Sequence, residues 1–201
     1  MRIDERKVLK LENIISEILP LTADTSQFNR VFIPIEHDFS LELANENNLN
    51  IYHLRTENRR FKYEDLTNFC VGNLSQYIFN RKTVKQAKSQ ADIQILYNRG
   101  RKQLREVRNE NDSGAGGELG ELLLYLFLEN CLHAPKLLSK MEIKTTRNQY
   151  IYGADGLHLY MTKDKYGNML YQFVIGEAKI KNDILDATRV AFDSIRKSID
   201  E

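Results

Sequence analysis

The chain has 201 residues, of which 42% are hydrophobic and 28% charged. This composition supplies enough apolar side chains for a folded core and excludes an intrinsically disordered chain. The charged N-terminus MRIDERKVLK and the lack of any apolar run of about 18 residues argue against a signal peptide and a membrane span. We therefore expect a cytoplasmic protein, with Cys70 and Cys131 as reduced, buried thiols because no CxxC spacing is present.

The first hundred residues predict a mixed α+β region. Apolar residues recur at helical spacing over residues 4–19 and again over residues 63–79. Residues 31–35 are typical of a strand, which Pro34 restricts to a short or edge position. Residues 40–54 alternate only weakly and predict a hairpin or loop.

Basic residues are concentrated between residues 81 and 108. This stretch holds nine basic and two acidic residues, a net charge of +7, so the rest of the chain carries −6. It predicts a basic helix that is interrupted near Gly100. This helix either contacts nucleic acid or presents a solvated face. The candidate nucleic-acid-binding residues are Lys85, Lys88, Arg99, Arg101, Lys102 and Arg105.

The composition changes at residues 109–117, NENDSGAGG, which are polar and rich in glycine. A phosphate-binding loop would continue with GK[ST], and Glu118 follows instead, which excludes that motif. The stretch predicts a boundary between an N-terminal region, residues 1–110, and a second region, residues 117–201.

The second region begins with a long apolar segment at residues 118–132, which predicts a helix buried on most sides. Strands are predicted at residues 140–146, 150–162 and 169–180, and the last two form a hairpin. An amphipathic helix follows, capped by Asn182 or Asp183. The order of elements predicts an α/β fold.

Candidate catalytic residues lie at the exit of the last strand, in the segment YQFVIGEAKIKND. Residues two apart on a strand face the same side, so Glu177 and Lys179 should project together. Gly176 should leave room for a large group, and the hairpin should bring Asp155 next to Glu177. Two such carboxylates repel unless a cation lies between them, and Mg²⁺ is held by carboxylates of this kind.

These residues favour a metal-dependent nuclease, in which Lys179 orients or deprotonates water and offsets phosphate charge. An acid of the long helix, Glu121 or Glu118, would complete the site. Two other interpretations remain open. In one, the fold carries an inert site and regulates a partner. In the other, Glu177 and Lys179 are a solvated surface pair, and Asp155 lies far away.

Three segments, GELGELLLYLFLENCL, YGADGLHLY and FVIGEAKIKNDILDATRVAFDSI, together resemble the HamA family of bacterial anti-phage defence, which includes the AbpA proteins. The order of a helix Glu, Asp155 and Glu177-Ala178-Lys179 is similar to the PD-(D/E)xK nuclease superfamily. The resemblance covers residues 117–195. It implies a restriction-endonuclease-like core, a mixed sheet flanked by helices, preceded by the α+β region.

The family implies a DNA nuclease subunit that uses Mg²⁺ or Mn²⁺ beside a HamB-like superfamily 2 helicase. By position, Asp155, Glu177 and Glu121 would be metal ligands and Lys179 the catalytic lysine, with Glu118 the second choice for the helix acid. Ala154 stands where the superfamily name has Pro. The fold usually adds another strand and helix after the last helix seen here, which predicts a minimal or truncated domain.

Overall fold

A computed structural model of the chain describes residue 15 and residues 17–38, 49–106, 116–139 and 155–200. The chain divides into two compact units, one formed by Asp24–Asn73 and the other by Met1–Ala23 together with Leu74–Glu201. No helix within the described ranges is long and apolar enough to cross a membrane.

The described residues form short helices and short strands. The helices are α1 (Phe28–Val31), α2 (Tyr63–Ile78), α3 (Arg81–Gln86), α4 (Gln90–Glu106), α5 (Gly116–Cys131) and α6 (Ile184–Asp200). The strands are β1 (Phe32–Ile35), β2 (Ile51–Leu54), β3 (Thr56–Glu57), β4 (Arg60–Phe61), β5 (Gly156–Lys163) and β6 (Met169–Gly176). Within the described ranges these strands form three two-stranded antiparallel sheets, β1–β2, β3–β4 and β5–β6. The mixed helix-and-strand class predicted from the sequence is therefore confirmed.

Several predicted features lie outside the described residues. They are most of the helix at residues 4–19, the strand at 140–146 and the first part of the hairpin or loop at 40–54. Residues 15, 17 and 18 are helical, and the helix ends before Pro20. The restriction-endonuclease-like core and the division at residues 110–117 stay predictions.

The unit Asp24–Asn73 is organised around Phe28, which is buried at the start of α1. Its ring centroid lies 5.8 Å from that of Tyr52 and 6.2 Å from that of Phe69. Pro34 pairs opposite Tyr52 in the two-stranded β1–β2 sheet. The predicted short strand is therefore confirmed, and a sheet of two strands gives Pro34 the edge position it requires.

The basic stretch forms two helices, and the predicted break near Gly100 is wrong. The break falls at residues 87–89, where the Ser89 hydroxyl accepts the Asp92 N–H at 3.1 Å and the Asp92 carboxylate accepts the Ser89 N–H at 3.0 Å. This reciprocal cap starts α4. Gly100 lies inside α4, where an added Cβ would be 2.9 Å from Ile78 Cδ1. The glycine permits close packing and does not interrupt the helix.

The long helix α5 confirms the buried helix predicted at residues 118–132. Its Glu129 is fully buried (0% exposed) and accepts four hydrogen bonds. The donors are the N–H groups of Thr22, Ala23 and Lys136 and the Thr22 hydroxyl, at 2.5 to 3.0 Å. These bonds compensate the cost of removing a carboxylate from water and attach residues 22–23 to α5.

The turn after α5 is fixed by two further buried polar side chains. The Lys136 ammonium donates to the Phe79 carbonyl at 2.9 Å and contacts the Gln76 carbonyl, so it satisfies carbonyl groups at the end of α2. His158 Nδ1 donates to the Ala134 carbonyl at 2.7 Å, and burial lowers the pKa of this imidazole. Strand β5 is thereby held against the turn.

Strands β5 and β6 form the predicted hairpin, in a register that places Gly156 opposite Gly176. Asp183 then caps α6 as predicted, since its Oδ1 accepts the Asp186 N–H at 2.8 Å. The strand predicted to run to residue 180 is wrong at its end, because β6 stops at Gly176. The residues that follow it, which include the candidate catalytic pair, lie outside regular secondary structure.

Candidate active site

The candidate site begins where β6 ends. An added Cβ on Gly176 would lie 2.7 Å from Leu124 Cδ2, closer than side-chain atoms approach one another. Gly176 therefore makes room for a side chain of α5. The space predicted for a large group at Gly176 is therefore occupied by Leu124.

Asp155 lies directly beside this strand exit. Its N–H donates to the Gly176 carbonyl at 3.0 Å, and its Oδ2 accepts the N–H of Ala178 at 2.8 Å. The Asp155 carboxylate thus satisfies the backbone of the middle residue between Glu177 and Lys179. The predicted proximity of Asp155 to this segment is confirmed, and the interpretation that requires Asp155 to be far away is wrong.

Glu177 and Lys179 contact each other, Nζ to Oε1, although they do not lie on a strand. The Glu177 side chain is only 5% exposed and that of Lys179 is 26% exposed. A carboxylate removed from water needs a partner of opposite charge, which Lys179 provides. Glu177 is therefore not the solvated surface residue that the alternative interpretation requires.

The start of α5 packs against the same segment. A Cβ on Gly120 would lie 3.4 Å from Ala178 Cβ and 3.4 Å from Ile180 Cγ1, so the helix passes in van der Waals contact with the chain after β6. Glu121 follows Gly120 directly, and its Oε2 accepts a hydrogen bond from the Tyr77 hydroxyl at 2.7 Å. The helix acid predicted from the sequence is thus held by Tyr77, and it directly follows the glycine that packs against Ala178.

Tyr77 is a residue of the site that the sequence analysis missed. Its side chain is buried, and burial together with the nearby charges of Asp155 and Glu118 raises the pKa of its phenol. The hydroxyl therefore stays protonated and donates. Tyr77 follows Leu74 by one helical turn on the apolar face of α2, which signals burial, and a buried phenol usually finds a hydrogen-bond partner.

The candidate nucleic-acid-binding residues lie on α3, α4 and the turn between them. Lys85, Lys88, Arg99, Arg101 and Lys102 are exposed to solvent, and the side chain of Arg105 lies outside the described residues. The Arg99 guanidinium lies 5.6 Å from the centre of the Phe79 ring, a distance typical of a cation–π contact. Their predicted contact with nucleic acid stays a prediction.

The carboxylates offer oxygen ligands, which suit Mg²⁺ and Mn²⁺. In the part of the chain that the structure describes, no three His, Cys, Asp or Glu side chains are grouped so that they hold a metal ion by themselves. Mg²⁺ does not need such a group, since one or two carboxylates usually bind it together with waters and substrate phosphates. The predicted ligands Asp155, Glu177 and Glu121 do not form such a group in the described structure. Asp155 and Glu177 supply carboxylate oxygens, which are donors of the kind that this ion accepts.

Comparison with known proteins gives one match. The model of the HamA family matches residues 28–201. No curated protein and no solved structure matches the chain. The match spans all the elements described above from α1 to α6, including the strand exit, the long helix α5 and Tyr77. The chain therefore belongs to the HamA family.

Proposed function

We propose that this chain is a Mg²⁺- or Mn²⁺-dependent DNA nuclease of the PD-(D/E)xK type, working in bacterial anti-phage defence beside a superfamily 2 helicase. Membership of the HamA family indicates a component of anti-phage defence. The nuclease activity rests on the site. The observation that best supports nuclease activity is the hydrogen bond from the Ala178 N–H to Asp155 Oδ2, at 2.8 Å. This bond joins Asp155 to the Glu177-Ala178-Lys179 segment.

Asp155 and Glu177 would hold the metal ion, with Glu121 on the side of α5. When bound, the ion would lower the pKa of a coordinated water and stabilise negative charge on the phosphate. Lys179 is partly exposed and already lies against Glu177. Its ammonium would donate to the attacking water or to a phosphate oxygen, where a fixed positive charge stabilises the transition state more than the substrate.

DNA contact is supported by the exposed basic side chains of α3 and α4. A phosphate backbone attracts such groups without regard to sequence, and the attraction weakens as salt rises. The chain as a whole has a net charge of only +1. This modest charge suits a subunit that obtains part of its DNA affinity from a helicase partner.

The proposal is tested by replacing Lys179 with Met and comparing it with Lys181→Met. Lys181 lies two residues further along, is exposed and pairs with Asp186 at 3.7 Å, so the control removes a lysine from the same segment without touching Glu177. Cleavage of plasmid and linear DNA is measured with the helicase partner, ATP and Mg²⁺, and with EDTA as the metal-free reaction. We expect Lys179→Met to lower cleavage roughly 100-fold or more, and Lys181→Met to leave it nearly unchanged.

Equal cleavage by the two lysine variants would refute the catalytic role of Lys179. Cleavage that persists in EDTA would refute the metal requirement. If the wild-type complex cleaves no DNA while the chain still alters the ATPase activity of the helicase, the protein is the inert regulatory adaptor and the proposal is wrong.

A further inference from the structure

Tyr77 comes to the site from a part of the chain outside residues 117–195. It lies in the last turn of α2, is 4% exposed, and is separated from its partner Glu121 by 44 positions in the sequence. The 2.7 Å distance between its hydroxyl and Glu121 Oε2 is that of a good O–H to carboxylate hydrogen bond. A long-range contact between α2 and α5 thus ends on a candidate metal ligand.

The phenol is held firmly in this position. The Lys136 ammonium donates to the Phe79 carbonyl at 2.9 Å and contacts the Gln76 carbonyl, so the chain on both sides of Tyr77 is tied to the turn after α5. The Tyr77 ring also packs on Tyr125, with 5.8 Å between their centroids. Because ring and backbone are both fixed, the hydroxyl oxygen is held at 2.7 Å from Glu121 Oε2.

The hydroxyl is also placed among acids that repel each other. Asp155 and Glu118 both lie close enough for their charges to act on the phenol, and Glu121 accepts its hydrogen bond. A neutral donor reduces repulsion between carboxylates without a second positive charge that would compete with a metal ion. Of the two acids at the start of α5, Glu121 is the one that this donor orients.

We propose that Tyr77 is a positioning residue of the metal site, whose hydroxyl holds Glu121 in the orientation in which it assists metal binding beside Asp155. This inference rests on the proposed nuclease function. Hydrogen bonds from outside the ligand set orient carboxylate ligands, and their loss typically weakens metal affinity or activity 10- to 100-fold. The inference makes the end of α2 part of the site and selects Glu121 over Glu118 as the helix acid.

The test measures Mn²⁺ binding to the purified full-length chain by calorimetry, together with DNA cleavage by the complex at increasing Mn²⁺. Tyr77→Phe removes only the hydroxyl. Tyr125→Phe is the matched control, because Tyr125 is equally buried on the neighbouring helix and its hydroxyl contacts Thr22 at 2.8 Å instead of an acid of the site. We expect Tyr77→Phe to bind Mn²⁺ about 10-fold more weakly than wild type, and Tyr125→Phe to bind it as wild type does.

A double-mutant cycle with Glu121→Gln shows whether Tyr77 acts through Glu121. If it does, Tyr77→Phe weakens Mn²⁺ binding in the wild-type background and has little further effect in Glu121→Gln. The inference is overturned if Tyr77→Phe and Tyr125→Phe both lower the melting temperature while both bind Mn²⁺ as wild type does. The two kinds of failure are distinguishable in the wild type. If only the inference about Tyr77 is wrong, the wild type still binds Mn²⁺ and cleaves DNA. If the proposed function is wrong, the wild type neither binds Mn²⁺ nor cleaves DNA.

Discussion

Glu129→Gln should destabilise the protein severely, although it replaces one side chain by another of the same size. In the native protein Glu129 Oε2 accepts the N–H groups of Thr22 and Ala23, and Oε1 accepts the Thr22 hydroxyl and the N–H of Lys136. All four partners are donors toward the carboxylate. Glutamine replaces one oxygen by an NH₂ group that is itself a donor. If the NH₂ group takes the place of Oε2, the N–H groups of Thr22 and Ala23 both lose their acceptor. If it takes the place of Oε1, the N–H of Lys136 loses its acceptor and the Thr22 hydroxyl must turn to accept a hydrogen bond.

The size of the loss follows from this count. A buried donor left without an acceptor costs about 1–3 kcal/mol, so one or two of them cost about 1–6 kcal/mol. Glu129 is 0% exposed, which leaves no bulk water to replace the lost acceptor. Folded domains are stable by about 5–15 kcal/mol, so this single change should remove a large fraction of the free energy of unfolding.

Urea unfolding followed by circular dichroism measures this loss, with Glu36→Gln as the control. Glu36 is exposed, and its replacement should change the free energy of unfolding by less than about 0.5 kcal/mol. If Glu129→Gln costs no more than Glu36→Gln, the four hydrogen bonds do not hold residues 22–23 and the turn after α5 in place.

Two further predictions concern buried groups near the site. Because burial lowers the pKa of His158 from its unfolded value of 6.5, the unfolded chain takes up the proton first as pH falls, and stability is lost below about pH 6.5. Urea unfolding at several pH values should show a smaller loss of stability in His158→Asn and the wild-type loss in the exposed variant His53→Asn. If the free energy of unfolding falls equally steeply with pH in the two variants, His158 is not the source of the loss. Gly176→Ala should lower the free energy of thermal unfolding by about 1–3 kcal/mol through its clash with Leu124. Gly117→Ala, which meets no atom within 4 Å, should be neutral or stabilising, and equal losses in the two glycine variants would contradict the packing argument.

The hairpin and the last helix were predictable because their signals are local. Strand patterning on both sides of a turn specifies β5 and β6, and Asp183 three residues before Asp186 specifies the cap of α6. The hairpin register also predicted that Asp155 reaches the residues after β6. That part of the site needed only a turn and two neighbouring strands.

Glycines were interpreted less well, because a glycine in a sequence does not show which neighbour requires it. The sequence predicts a helix break at Gly100 and space for a large group at Gly176. In the structure the side chains of Ile78 and Leu124 occupy the space where each Cβ would lie. Both contacts join segments far apart in the chain, and no local pattern encodes such a pair.

The packing of distant elements has a consequence for interpreting mutants. Apart from the contact between Glu177 and Lys179, the contacts described at the site are long-range: Tyr77 with Glu121, and Asp155 with Ala178. These contacts form only after α2, α5 and the hairpin have packed. A change such as Glu129→Gln should therefore lower the proposed nuclease activity through loss of folded protein, and activity should return at low temperature or under stabilising conditions. Lys179→Met should lower the proposed activity under all conditions, including those that restore the fold, because the ammonium that contacts Glu177 is lost.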